Sequence, residues 1–311
     1  MIPLVLAVFA ACLNATGDLL QRRSGRDERD AGSGSVSLLW DLFRRPGWLL
    51  GLLASLVGLG VHVVALSLGT IATVQPLLVL ELPIAVVVSS RLFGARLSRR
   101  DWVAVALLAV GLAAFVFALF PQGGAPTGVS GPVWAVGLAV VLGLAVLLAA
   151  IGWHSRQDLR AGLLGGAAGV GYGATAVLFS TAGATASQGV TALLGTWQAY
   201  AAIAVGLASF YALQNSLSAG LLVATEPGLT LANPLVAVTW GLVIFGEQAR
   251  TGLWLVGSIT GGVLLVVGTV LLARSPVLSA GHSGEDHASG ATEKRRRASR
   301  RASRIVQDLS S

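Results

Sequence analysis

Nine apolar runs, each about as long as a bilayer is thick, decide what this chain can fold into. They cover residues 2–20, 48–68, 71–93, 102–120, 133–153, 161–181, 193–215, 219–245 and 252–273. A hydrocarbon layer of about 30 Å is crossed by roughly 20 residues of helix at about 1.5 Å per residue. In lipid the backbone must satisfy its own hydrogen bonds, and for runs of this length that means helices. Composition agrees, with 54% hydrophobic and 11% charged residues where a soluble domain carries about a quarter charged. A water-soluble globule is excluded. Cys12 is the single cysteine, so no intrachain disulfide forms, and the four histidines lack metal-ligand spacing. No structural zinc and no cofactor is expected.

The net charge of +7 raises nucleic acid as a partner, but the basic residues lie between and after the apolar runs and form no basic face. Lys and Arg favour cytoplasmic loops, so nine spans make a testable pattern. Loops after odd-numbered runs hold Arg22, Arg23, Arg26, Arg29, Arg44 and Arg45, then Arg91, Arg96, Arg99 and Arg100, then Arg156 and Arg160, and last the basic tail. Of the 21 Lys and Arg, only Arg250 falls on the other side. The expected topology is an outside N-terminus and a cytoplasmic C-terminus in a plasma membrane. The dominance of Arg over Lys suggests GC-rich coding and a bacterial inner membrane. Trp48, Trp102, Trp134, Trp153 and Trp254 stand at run ends, where indole prefers the headgroup level. The first run lacks a preceding basic residue and a good cleavage box, so it is kept as a span. Val36 to Phe43 is too short to cross and is expected along the inner interface.

Sliding the chain along itself superposes Leu66, Ser67 and Gly69 on Leu217, Ser218 and Gly220, then Pro76 on Pro227 and Pro83 on Pro234. After a one-residue slip, Phe93 and Gly94 meet Phe245 and Gly246, and Trp102 meets Trp254. Spans two to four thus repeat as spans seven to nine, and span one pairs with span six through Ala15-Thr16 and Ala174-Thr175. The expected fold is an all-α integral membrane protein. Residues 1–120 form one four-helix repeat, 121–153 a connecting span, 154–273 a second four-helix repeat, and 274–311 a disordered basic cytoplasmic tail. One connecting span inverts the second repeat relative to the first, the architecture by which many transporters alternate access to a central site.

On these residues the chain resembles the drug/metabolite transporter superfamily with its EamA-like repeats. The run Glu226, Asn233, Pro234, Gly246, Glu247 and Gly261 is similar to that family's repeat ending, a proline-kinked helix, a Gly-Glu turn and a glycine-bearing last helix. The first half departs from it, since Gly94 is followed by Ala95. Nine spans look more like the NIPA-like magnesium-transporter branch. The resemblance implies a secondary transporter of small solutes or ions and leaves its substrate open.

Ionisable and amide groups inside spans are costly and need a reason. Asn14, Asp18 and Gln21 are spaced i, i+4, i+7 and share a helix face, either lining a substrate path or, for Asp18, pairing with Arg22. Glu81 lies mid-span between Pro76 and Pro83, whose missing N–H groups free carbonyls that with the carboxylate would coordinate a cation or accept a proton. The alternative is a protonated Glu81 bonded to a neighbouring helix. Glu226 precedes Pro227 and corresponds to Gln75, with solvation at the cytoplasmic end as its alternative role; Asn233 precedes Pro234 near the midplane. His62 either relays protons or is a satisfied buried imidazole. The four prolines are expected to break their helices. Under a magnesium reading, Asp18, Glu81 and Glu226 supply the hard oxygen ligands.

Gly169, Gly171 and Ala174 match a dinucleotide fingerprint, but no strand precedes them. Gly165, Gly169 and Gly173 instead form a ladder for close helix approach, repeated by Gly257 and Gly261. In the tail, EKRRRASRRASR fits attraction to anionic lipid better than it fits kinase sites. No catalytic triad or phosphate loop is present, so no enzyme is expected. The expectations are therefore a transporter of small metabolites or drugs, with proton coupling as an option; a magnesium transporter; or a non-transporting scaffold or lipid-handling subunit. The partners are the bilayer, a small-molecule or ion substrate and, as a further candidate, a second copy of the chain.

Overall fold

The structure is a computed structural model describing residues 2–29, 46–93, 97–219 and 222–275. Its helices are α1 (Ile2–Arg29), α2 (Pro46–Leu68), α3 (Ile71–Leu77), α4 (Glu81–Phe93), α5 (Arg99–Leu119), α6 (Gly131–Trp153), α7 (Gln157–Ala186), the short α8 (Val190–Gly195), α9 (Trp197–Ala219), α10 (Leu222–Val243) and α11 (Leu253–Ala273). A 3-10 turn, Leu78–Leu80, joins α3 to α4. Two-residue strands β1 (Gln122–Gly123) and β2 (Glu247–Gln248) pair antiparallel.

Each apolar run is thus occupied by helix, and the chain is an all-α membrane protein. Among the described residues, seven stretches are long and apolar enough to cross a bilayer: Ile2–Gln21, Pro46–Leu68, Ile71–Arg91, Arg99–Leu119, Gly131–Trp153, Leu159–Ala186 and Leu253–Ala273. Helices α9 and α10 are of similar length but more polar, carrying Gln198, Gln214 and Asn215 in the first and Glu226 and Asn233 in the second. The run expected at 193–215 is divided: α8 ends at Gly195 and α9 begins at Trp197. Tyr200 braces the corner by donating its hydroxyl to the Leu194 carbonyl at 2.7 Å. Residues 36–43 and the basic segment of the tail lie outside the described residues.

Helix α1 packs along α2, and α7 packs on α6, α9 and α10 and touches α2. Helix α5 lies along α11, α3 crosses α10, and α1 meets α3, the 3-10 turn and α4. Small residues set these approaches, because lipid gives apolar side chains no reason to leave it and close backbone packing supplies the attraction instead. All three ladder glycines of α7 face α10. A Cβ on Gly165 would stand 2.6 Å from the Thr225 carbonyl, one on Gly169 2.7 Å from that of Leu229, and one on Gly173 2.6 Å from the Val236 Cβ. In the second ladder Gly261 faces α5, where its Cβ would lie 2.7 Å from the Gly111 carbonyl. By contrast, α6 turns Val136, Val140, Val146 and Leu147 outward, a continuous apolar surface that lipid covers and water would not tolerate.

One tryptophan departs from the headgroup expectation. Trp134 is buried and packs against Trp197, Trp240 and Phe245, with ring centroids 5.5, 5.2 and 6.2 Å away. It stands at a span end but points into the bundle, where aromatic contacts replace the interface.

Candidate functional site

Between α3 and α4 the chain stays helical but tightens into a 3-10 turn midway along the span. Pro76 and Pro83 cannot donate backbone hydrogen bonds, and between them the ladder tightens: Leu78 N–H reaches Gln75 O, and Glu81 N–H reaches Leu78 O. Glu81 opens α4. In α10, Pro227 and Pro234 are accommodated inside continuous helix, so the two proline pairs have different local outcomes. Helix α1 lies against this tightened turn.

The stripe on α1 divides. Asn14 abuts Gly58 of α2, and Gln21 donates to Ser55 Oγ at 3.0 Å beside Gly51, so these two amides serve the α1–α2 contact. Asp18 differs. Seven residues turn a helix by about 700°, which returns Asp18 to within about 20° of Ala11. Ala7, Ala11 and Ala15 on that face are buried, while Val5, Phe9 and Thr16 on the opposite face are exposed. Asp18 is nonetheless exposed. Tyr172 of α7 lies within electrostatic range of the Asp18 carboxylate. Sequence reasoning missed Tyr172, because a single tyrosine in an apolar run carries no signal of what it faces.

His62 and Gln75 meet between α2 and α3. Both are buried, and the amide lies beside the imidazole without a well-formed hydrogen bond, leaving His62 Nε2 and both Gln75 amide atoms unpartnered. The Asn233 Oδ1 on α10 is also buried and unpartnered, and its backbone carbonyl faces Gly173. Such groups cost roughly 1–3 kcal/mol each when left unsatisfied, which marks the interior of the bundle as a place where polar groups are kept despite their cost. Glu226 follows a polar knot that the sequence did not reveal: Ser216 donates to the Ala161 carbonyl at 2.6 Å and shares a 2.8 Å hydrogen bond with Thr225. Among the described residues, no three His, Cys, Asp or Glu side chains gather into a metal-holding group. Asp18, Glu81 and Glu226 therefore do not form one site in this arrangement.

At the end of the bundle formed by residues 69–71, 119–125 and 245–250, loops from both halves of the chain are tied together. The Arg250 N–H donates to the Leu119 carbonyl at 3.0 Å and Ala125 N–H to that of Phe245 at 2.9 Å, flanking the β1–β2 pair. The Arg250 guanidinium stacks over the rings of Phe120, Trp254 and Phe117 at 4.3, 4.8 and 5.6 Å. That aromatic cage accounts for the one basic residue that breaks the charge pattern. Glu247 is buried here and accepts from Ile71 N–H at 2.7 Å and Ala72 N–H at 3.0 Å. Burial pushes its carboxyl above the usual range against the opposing pull of those two amides. At the opposite end Ser98 caps α5 in a reciprocal box with Asp101, whose carboxylate also bonds Ser275 beyond α11.

Fold and interior together define a helical membrane-embedded protein with polar groups held inside its bundle. The chain is 30% identical over 288 residues to an uncharacterized protein of Corynebacterium glutamicum, an alignment spanning 90% of this chain and 98% of that relative. It belongs to the family of that corynebacterial protein. No family profile and no solved structure matches it.

Proposed function

We propose that the protein is a secondary-active transporter of the drug/metabolite type, moving small solutes by alternating access across a bacterial plasma membrane. The observation that carries this reading is the proline-flanked 3-10 turn in mid-span, which shifts the backbone hydrogen bonds next to Glu81 at the start of α4. The packing supports it. Helix α1 lies on α2 as α7 lies on α9, α1 meets the α3–α4 unit as α7 meets α10, and α5 meets α11 between the halves. With α6 as the extra span, such halves are inverted and bring nine spans, an outside N-terminus and a cytoplasmic C-terminus. Asp18 and Tyr172 border the path, while His62, Gln75 and Asn233 offer polar groups along it.

The test is uptake by purified protein in proteoliposomes, from a panel of labelled metabolites and magnesium, under an imposed pH gradient. A solute whose uptake follows the gradient, with the response lost in Glu81→Gln, is the expected result. An unchanged gradient response in that variant overturns the role of Glu81. Magnesium flux without solute uptake would replace the solute reading.

A further inference from the structure

Glu247 joins parts of the chain far apart in sequence. Its loop follows α10, and the amides it holds belong to the first turn of α3, so one carboxylate spans the two halves. Its surroundings are shaped to receive it. A Cβ on Gly241 would come within 2.6 Å of Oε2, and one on Gly124 within 2.8 Å of the Glu247 Cγ; both glycines leave the space the carboxylate arm occupies. Gly246, at φ +70°, makes the turn that aims it, a conformation that glycine adopts without strain. The other ties at this end include the backbone pairings of β1 with β2, Leu119 with Arg250 and Phe245 with Ala125, and the Arg250 guanidinium over Phe117 and Phe120.

Asp18 lies at a different depth. The α1 N-terminus reaches this tied end, since Pro3 abuts Gly69. Asp18 is fifteen residues further along, about 22 Å at 1.5 Å per residue. Asp18 is exposed at that depth, away from the tied end, and at the opposite end the Asp101 carboxylate of α5 bonds Ser275 beyond α11.

We propose that Glu247 is a latch: its carboxylate holds the two halves together at this end, and release of its two hydrogen bonds is the step that opens the bundle there. This rests on the alternating-access reading above, which requires such an opening, but its test needs no substrate. In a Cys12→Ser background, Val74→Cys places a thiol at a fully buried position of α3, one turn below Ile71. Its reaction with a water-soluble, membrane-impermeant maleimide in proteoliposomes reports opening. With Glu247 intact the reaction is slow; Glu247→Ala should speed it at least tenfold. Glu247→Gln, which keeps one acceptor oxygen, should speed it by a smaller factor. Unchanged labelling in Glu247→Ala that retains its helical circular dichroism and gel-filtration profile overturns the latch. If the alanine variant does not fold, the glutamine variant decides, with at least a threefold rise supporting the latch and no rise overturning it. Faster labelling in a protein that transports nothing would leave the latch standing and remove the transport reading. Intact transport with unaltered labelling does the reverse.

Discussion

Substituting alanine for Gly169 tests whether the α7–α10 seam is held by backbone approach. The added Cβ would stand 2.7 Å from the Leu229 carbonyl, 2.8 Å from that of Gly228 and 2.9 Å from the Ala232 Cβ, where non-bonded carbon contacts settle at about 3.5–4.0 Å. Two of the three neighbours are backbone, so the helices must separate by roughly 0.7 Å or more to relieve the overlap. Overpacking of this kind costs about 1–3 kcal/mol, offset by up to about 1 kcal/mol from the helix preference of alanine over glycine. Gly166, three residues earlier, is the internal control. Its Cβ would meet only Leu148 Cδ1, at 3.8 Å, so Gly166→Ala keeps the propensity gain without the overlap. The two variants should differ by about 1–3 kcal/mol in reversible unfolding of the purified protein in mixed detergent, with Gly169→Ala the less stable. Equal stability of the two would refute the argument that backbone contact sets this seam.

Other outcomes follow from the tied end. Because the folded Glu247 carboxyl is raised above its ordinary value of 4.5, its contribution to stability is full below that value and is lost as pH rises through the folded one. The groups acting on it are the Ile71 and Ala72 amides, while the nearby Arg250 turns its guanidinium onto Phe117, Phe120 and Trp254. Thermal midpoints of the native protein minus those of Glu247→Gln should therefore fall from acid to neutral pH; a flat or rising difference contradicts the shift. Arg250→Met keeps the aliphatic arm but loses the charge over three rings, and should lower stability by about 0.5–2 kcal/mol. A melting curve unchanged by that substitution would show the cage to be idle.

Most of the helices were legible because a bilayer imposes one length and one polarity on whatever crosses it, and runs such as 48–68 and 252–273 state both in plain letters. The α7 glycine ladder was legible for a related reason: residues four apart share a face, and small residues on a face mean close approach. The division of the run at 193–215 was not, since Thr196 resembles its neighbours in hydropathy and the corner at Gly195 is set by Tyr200 reaching back to Leu194. The stripe of Asn14, Asp18 and Gln21 was visible as a stripe, but the engagement of Asn14 and Gln21 in a helix contact depends on Gly51, Ser55 and Gly58 of another helix. Glu247 shows the limit most sharply. In sequence it is one turn carboxylate after a glycine, and what gives it a role is a pair of amides at Ile71 and Ala72, on the far side of the chain.

The proposed transport reading requires that the second half be inverted against the first, and an odd number of spans is the condition of that inversion. With Cys12 replaced by serine, a cysteine at Ile2 should react with an impermeant maleimide on intact cells, and one at Ser311 only after the membrane is permeabilised. Reaction of both from the same side would mean an even number of crossings and would contradict the account.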